Sequence, residues 1–399
     1  MSVRKLLHDI VIGATAVVSK LIPDRVPVTL LGPGSSKELC AAIAQAGVKK
    51  LLVVSDAVLV QLGVVAEITR SLDQHGVGWC LYDGVEPDPT SDHVAAGLVL
   101  LRRERCDAVL AIGGGSPMDA AKVIAAAAID DRPLHKLEGL LKVRRLPLPL
   151  YAIPTTAGTG SEATIAAVVS DPKTHLKKFF IDPKLLPVMT ALDPSLMAGL
   201  PPPITAATGM DALTHAVESY ISKTSTQQTE RWATTAVRLI FANLPKAYAN
   251  GADLEARRAM ALASYYAGLA FTRTSVGYVH AIAHQLGAQY RTPHGLANAL
   301  VLPHVLEFSV EPAAKRLAAL ASVIGIDSGD DRARAHAFIE AVRGLSGRVG
   351  ISPTLPALRP EDIPMLARQA LVEAHMNYPV PRYMENTDCT QVISRLLAA

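Results

Sequence analysis

The sequence predicts two domains of different class: an N-terminal α/β domain on a doubly wound parallel sheet (residues 1–198, with a helical extension over 1–25), and an all-α domain over 199–399. Two observations lead there. From about residue 27 to 195, short apolar or β-branched runs (Val28–Leu31, Leu51–Ser55, Trp79–Tyr82, Ala108–Ile112 and Leu148–Ile153) alternate with stretches of helical periodicity. Alternation of this kind gives a parallel sheet with helices on both faces and ligands at the carboxyl ends of the strands. Beyond Leu200-Pro201-Pro202-Pro203 the runs stop, and Ala, Leu, Glu and Arg at helical spacing continue to Leu397. The proline run removes backbone donors and marks the junction.

Composition narrows the function. Half of the 399 residues are hydrophobic and 19% are charged, a balance that supports large cores and excludes a disordered chain. A net charge of +3 from dispersed basic residues gives no electrostatic footprint for nucleic acid. Cys40, Cys80, Cys106 and Cys389 lie far apart without CxxC spacing, which argues against a thiolate cage or disulfide framework and for the reducing cytoplasm. Val3-Arg4-Lys5 followed by Ile10–Val18 loosely imitates a signal peptide, but His8 and Asp9 interrupt it, so an amphipathic helix ending near Pro23 is expected. No later stretch reads as a membrane span.

Three segments carry cofactor chemistry. After the run Asp107–Ile112 comes Gly113-Gly114-Gly115-Ser116-Pro117-Met118-Asp119-Ala120-Ala121-Lys122, in the order strand, glycine turn, helix. Glycines let the backbone approach a pyrophosphate, Pro117 suits the first helical turn, and the amides at a helix start attract anions. A tight turn that binds nothing has the same appearance. The loop Thr155-Thr156-Ala157-Gly158-Thr159-Gly160-Ser161-Glu162 offers hydroxyls suited to ribose or adenine, although such residues also build ordinary loops. Asp56 closes the strand Leu52–Ser55, where a carboxylate can accept from a ribose 2′-hydroxyl and repel a 2′-phosphate, or simply cap the next helix.

A second group suggests a metal. Asp211 and His215 are four apart, as are His280 and His284, so each pair shares a helical face; with His294, three of the twelve histidines fall within fifteen residues. One buried histidine is ordinary core. Three among Ala, Gly and Leu would be costly without partners. One carboxylate with several imidazoles suits Fe, Zn, Co or Ni better than Mg or Ca, and such an ion can polarise a carbonyl or acidify an alcohol.

In order and spacing, GGGSPMDAAK, PTTAGTGSE, GMDALTHAVESY and HAIAHQLGAQYRTPHGLANA resemble the iron-containing (group III) alcohol dehydrogenases, and the likeness runs over nearly the whole chain from about residue 28. The resemblance implies an NAD-linked oxidoreductase interconverting primary alcohols and aldehydes, with a divalent metal, iron first and zinc second, and an active site in the cleft between the two domains. A cytoplasmic homodimer or higher homo-oligomer acting on a small molecule, with no nucleic acid or membrane partner, is part of the same implication. It implies metal ligation by Asp211, His215, His280 and His294, and leaves His284 as an unligated, catalytic histidine near the nicotinamide. Gly113, Gly114, Gly115 and Ser116 correspond to the pyrophosphate turn, and Asp119 to the nicotinamide end with a catalytic role. Thr155, Thr156 and Thr159 correspond to adenosine contacts, Asp56 to the ribose reader, and Lys177 to a second ribose contact.

The look-alikes include lactaldehyde reductases, propanediol dehydrogenases and butanol dehydrogenases, so a diol or glycerol type of dehydrogenase is the alternative. A dehydroquinate-synthase-like lyase ranks lower, because the segments around His280 and Ala166 lack the basic residues its substrate needs. Two departures bear on the substrate. Diol-using members carry a polar side chain where this chain has Ala163-Thr164-Ile165-Ala166-Ala167-Val168, which argues for apolar alcohols. The family's Cys-Thr-Gly-Gly-Asn-Pro-Arg stretch is replaced by His375-Met376-Asn377-Tyr378-Pro379-Val380-Pro381-Arg382, which alters the shape of the pocket.

Overall fold

Parallel pairing requires a crossover between strands, and the first half of the chain supplies one after nearly every strand. The computed structural model describes His8, Ile12, Gly13 and residues 25–174 and 176–398; the helix expected over 1–25 otherwise lies outside the described residues. Two compact units divide the chain, Pro23–Gly199 and Leu200–Ala399, and His8 and Ile12 group with the second, where His8 Nδ1 lies 2.9 Å from the His375 carbonyl oxygen.

The α/β unit runs β1 (Val28–Leu31), α1 (Ser35–Gln45), β2 (Lys50–Val54), α2 (Ala57–Gln61), α3 (Val64–Gln74), β3 (Gly78–Tyr82), α4 (Ser91–Glu104), β4 (Ala108–Gly113) and α5 (Gly115–Ala128). It continues through β5 (Gly139–Leu140), β6 (Leu150–Pro154), β7 (Ala166–Ser170), β8 (Lys177–Ile181) and β9 (Met189–Leu192). Among the described residues six strands form one parallel sheet in the order β1-β9-β6-β4-β2-β3, and a small sheet has the order β5-β8-β7. The carboxyl ends of β2, β4 and β6 therefore lie side by side. All five expected strands are present. The strand β9 and the small sheet were not expected, because four-residue or half-polar runs such as Met-Thr-Ala-Leu become strands through their neighbours, here β1 and β6, and not through local preference.

Alternation explains the two layers of helix. Leu51, Val53, Leu110, Ile112, Tyr151 and Ile153 enter the core on one face of the sheet, while Leu52, Val54, Val109, Ala111, Leu150 and Ala152 enter the core on the other. Strands buried on both faces read as continuous apolar runs.

The second unit contains α6 (Pro202–Ile221), α7 (Gln227–Ala249), α8 (Leu254–Thr274), α9 (Tyr278–Tyr290), α10 (His294–Val323), α11 (Asp331–Arg348), α12 (Ile363–Asn377) and α13 (Asn386–Ser394). No described helix is long and apolar enough to cross a membrane. Helix α6 is buried on most sides, yet Asp211, Thr214, His215 and Glu218 are among its buried residues. Polar groups in such a place must be satisfied by one another or by a ligand.

Leu110 is fully buried at the centre of the main sheet. Leu110→Ala is expected to lower unfolding stability by about 2–5 kcal/mol, read as a fall in the urea midpoint. A midpoint equal to wild type would contradict this packing.

Candidate metal centre and nucleotide-binding turn

Helical spacing sets Asp211, His215 and Glu218 at i, i+4 and i+7 on one side of α6. Asp211, His215 and His280 are buried and each offers a donor atom within 4.8 Å of the others. His280 Nε2 lies 3.9 Å and His294 Nε2 3.5 Å from Asp211 Oδ1, and His215 Nδ1 lies 4.0 Å from Asp211 Oδ2. His294, the first residue of α10, is the exposed member, with 39% of its side chain accessible. The His215 ring stacks on Phe271 at 4.1 Å and on His280 at 4.5 Å.

Glu218 organises His280. Its Oε2 accepts from His280 Nδ1 at 2.6 Å and from the Gly277 amide at 2.8 Å, and Oε1 accepts from the Val279 amide at 2.7 Å. The proton is thus on Nδ1 and the lone pair on Nε2. Burial alone would pull the His280 imidazolium down, but the charge and hydrogen bond of Glu218, with Asp211, outweigh it and raise its pKa. Burial pushes the Asp211 carboxyl up, and His215, His294, His280 and the Asn298 hydrogen bond together bring it below its ordinary value.

The amide nitrogen of Asn298 lies 2.7 Å from Asp211 Oδ1 and 3.2 Å from both His280 Nε2 and His294 Nε2. Three acceptors converge on one buried donor that has two hydrogens. Bonds of about 2.0–2.2 Å at tetrahedral angles set neighbouring ligand atoms roughly 3.4 Å apart; the separations from Asp211 are 3.5–4.0 Å, and the group whose donors all lie within 4.8 Å of one another is Asp211, His215 and His280, without His294. The donor set therefore fits a divalent ion of the iron or zinc type.

In the α/β unit, Gly114 is the N-cap of α5 and supplies no side-chain cap, which leaves the helix-start amides of the kind that bind anions. The Thr155 amide donates to the Gly113 carbonyl at 3.0 Å, and a Cβ on Gly115 would come within 3.0 Å of Thr159. The glycine turn and the Thr155–Glu162 loop are therefore packed together. Ser55 Oγ donates to the Ile112 carbonyl at 2.9 Å, tying the end of β2, and Asp56 after it, to the same edge. Asp56 Oδ1 accepts from the Leu59 amide at 2.9 Å as the N-cap of α2. Lys177 stands at the start of β8 in the small sheet, 3.7 Å from Asp88, and its charge helps to lower the Asp119 carboxyl against the effect of burial.

Asp119 is held in a buried network. Its oxygens accept from Ser161 Oγ at 2.7 Å and the Val168 amide at 2.9 Å. The fully buried Lys122 donates to Ser161, Thr164 and the Ala166 carbonyl at 2.7–3.0 Å. Burial lowers Lys122 to about 8 and raises Glu162 to about 7.

Two family models cover most of the chain: iron-containing alcohol dehydrogenase over residues 27–194 and the C-terminal part of the same family over 205–397. The chain belongs to the iron-containing alcohol dehydrogenase family. It is 37% identical to an NAD-dependent methanol dehydrogenase of Bacillus methanolicus over 93% of this chain and 98% of that one. With a lactaldehyde reductase of Escherichia coli (strain K12) it shares 40% identity over 85% and 90% of the two chains. A crystal structure of 1,3-propanediol oxidoreductase superposes with a TM-score of 0.90 at 38% identity, covering 93% of this chain and 98% of that one.

In this member of the family, sequence reasoning missed Glu218, Asn298 and Glu373. The first two had a signal: Glu218 follows Asp211 by seven residues and Asn298 follows His294 by four, so each shares a helix face with a candidate ligand. Glu373, which pairs with His284 at 2.6 Å across 89 residues, had none. The fit of α10 on α6 leaves no slack, because a Cβ on Gly295 would meet the Ala207 carbonyl oxygen at 2.2 Å and Asp211 Cβ at 3.3 Å. Gly295→Ala is expected to push His294 away from Asp211 and weaken zinc binding roughly 10–100-fold, measured by competition with a chelator. Wild-type affinity would contradict this close approach.

Proposed function

We propose that the chain is a metal-dependent, NAD-linked alcohol dehydrogenase that interconverts primary alcohols and aldehydes, with Asp211, His215, His280 and His294 holding iron. The observation that carries the reading is the convergence of Asp211, His280 and His294 lone pairs on one buried point beside His215. When bound, the metal supplies Lewis-acid polarisation of the substrate oxygen, and NAD accepts or returns the hydride.

The chain's own residues hold and orient. Glu218 keeps the His280 lone pair turned toward Asp211, and the start of α5 offers amides to a pyrophosphate through Gly113, Gly114, Gly115 and Ser116. Thr155, Thr156 and Thr159 serve the adenosine side, Asp56 the ribose and Lys177 a second ribose contact. Asp119 stands at the nicotinamide end in a catalytic role, its carboxylate held by Ser161 Oγ and the Val168 amide with acceptor positions to spare. His284 serves as a catalytic histidine near the nicotinamide, outside the ligand set and placed to relay the alcohol proton. The apolar segment 163–168 favours simple primary alcohols; the names of the relatives above support a diol substrate as the second reading. Free cysteines support a cytoplasmic setting, and family membership supports a homodimer.

Reduced nicotinamide should accumulate when the iron- or zinc-loaded protein meets NAD and a panel of primary alcohols, and Asp211→Ala should lose both metal and turnover. A loaded wild type that oxidises no alcohol would sink the reading; an Asp211→Ala protein with full metal content would remove that residue from the site. Asp56 predicts a preference for NAD over NADP through repulsion of a 2′-phosphate, and Asp56→Gly should narrow it. A kcat/KM ratio for the two cofactors that does not move would leave Asp56 as a helix cap alone.

A further inference from the structure

Helix α9 carries two imidazole–carboxylate pairs one turn apart. The first, His280 with Glu218, serves the metal centre. In the second, His284 Nδ1 meets Glu373 Oε1 at 2.6 Å, and Glu373 comes from α12. The same Oε1 accepts the Tyr378 hydroxyl at 2.6 Å, and Oε2 accepts from Gln285 Nε2 at 3.2 Å. Three donors aimed at one carboxylate fix its orientation.

With Glu373 accepting at Nδ1, the neutral His284 ring has its lone pair on Nε2. The ring lies nearly parallel to that of His294, with centroids 5.3 Å apart and an interplanar angle of 20°. Tyr378 is buried, and burial together with the adjacent Glu373 pushes its phenol well above the ordinary range, so it serves as a donor. It belongs to the 375–382 stretch in which this chain departs from the motif noted in the sequence, and the metal centre makes no use of it.

We propose that Glu373 and Tyr378 are positioning residues for His284, holding its ring beside His294 in the tautomer whose Nε2 accepts a hydrogen bond from the substrate hydroxyl. This deepens, and rests on, the alcohol dehydrogenase reading. Glu373 and Tyr378 act through His284 and not on substrate. In the other tautomer Nε2 would carry a proton and oppose a hydroxyl donor, and a ring flip would replace nitrogen with carbon at that place. Tyr378 restrains the carboxylate that prevents both.

The test uses the full-length zinc-loaded protein, with nitrogen-15 NMR of its histidines and steady-state kinetics on the wild type, Glu373→Gln, Tyr378→Phe, His284→Ala and the double variant His284→Ala/Glu373→Gln. In the wild type the His284 proton should sit on Nδ1. Glu373→Gln should lower kcat for alcohol oxidation roughly tenfold or more, with KM for NAD and zinc content unchanged, and Tyr378→Phe should act in the same direction by less. In the His284→Ala background, Glu373→Gln should add no further loss. A wild-type His284 protonated on Nε2, or a Glu373→Gln loss that persists at full size without His284, overturns the proposal. Failure of the underlying reading is distinguishable, since the wild type itself would then oxidise no alcohol while the tautomer measurement still decides the role of Glu373.

Discussion

Glu218 shares its two carboxylate oxygens among the Gly277 amide, the Val279 amide and His280 Nδ1, and the geometry of the candidate metal centre depends on that sharing. The group lies at the N-terminal end of α9, where backbone amides lack intrahelical acceptors and negative charge is favoured. One side chain on α6 thereby fixes where α9 begins, how it is rotated, and which His280 nitrogen keeps its lone pair. The approach is close enough that a Cβ on Gly277 would fall 2.7 Å from Glu218 Oε1. Such a buried carboxylate is costly unless each acceptor position is used. Here the three donors offset that cost, and the shared carboxylate also orients His280, a candidate ligand.

Similar hydrogen-bonded networks hold other buried charges among the described residues. On α9 the pairing is repeated one turn later by Glu373 and His284. In the α/β unit, Lys122, Asp119, Ser161 and Thr164 join α5 to the loop that follows β6 through hydrogen bonds of 2.7–3.0 Å. Networks satisfied to this degree rigidify the backbone around them. The loop carrying Thr155, Thr156 and Thr159 is thus held against the glycine turn by this network.

The fold was legible where burial alone decides the residue pattern. Strands β4 and β6, and β2 after Lys50, are apolar because helices cover both faces, and the sequence shows them as continuous runs. Strand β9 and the small sheet escaped, since Met189–Leu192 becomes a strand only by lying between β1 and β6. Of the candidate site, the residues whose spacing is helical were readable: Asp211 with His215, and His280 with His284. Asp56 reads as a cap and as a ribose contact from the same position, and its Oδ1 accepts the cap bond from the Leu59 amide. Glu373 was invisible, because no periodic signal links α12 to α9 across 89 residues.

X-ray absorption at the metal edge of the iron-loaded protein tests the central claim most directly. Ligation by Asp211, His215, His280 and His294 predicts a first shell of nitrogen and oxygen only, at about 2.0–2.2 Å, with the outer-shell scattering of several imidazoles and no sulfur. A sulfur shell, or an all-oxygen shell without imidazole scattering, would contradict it.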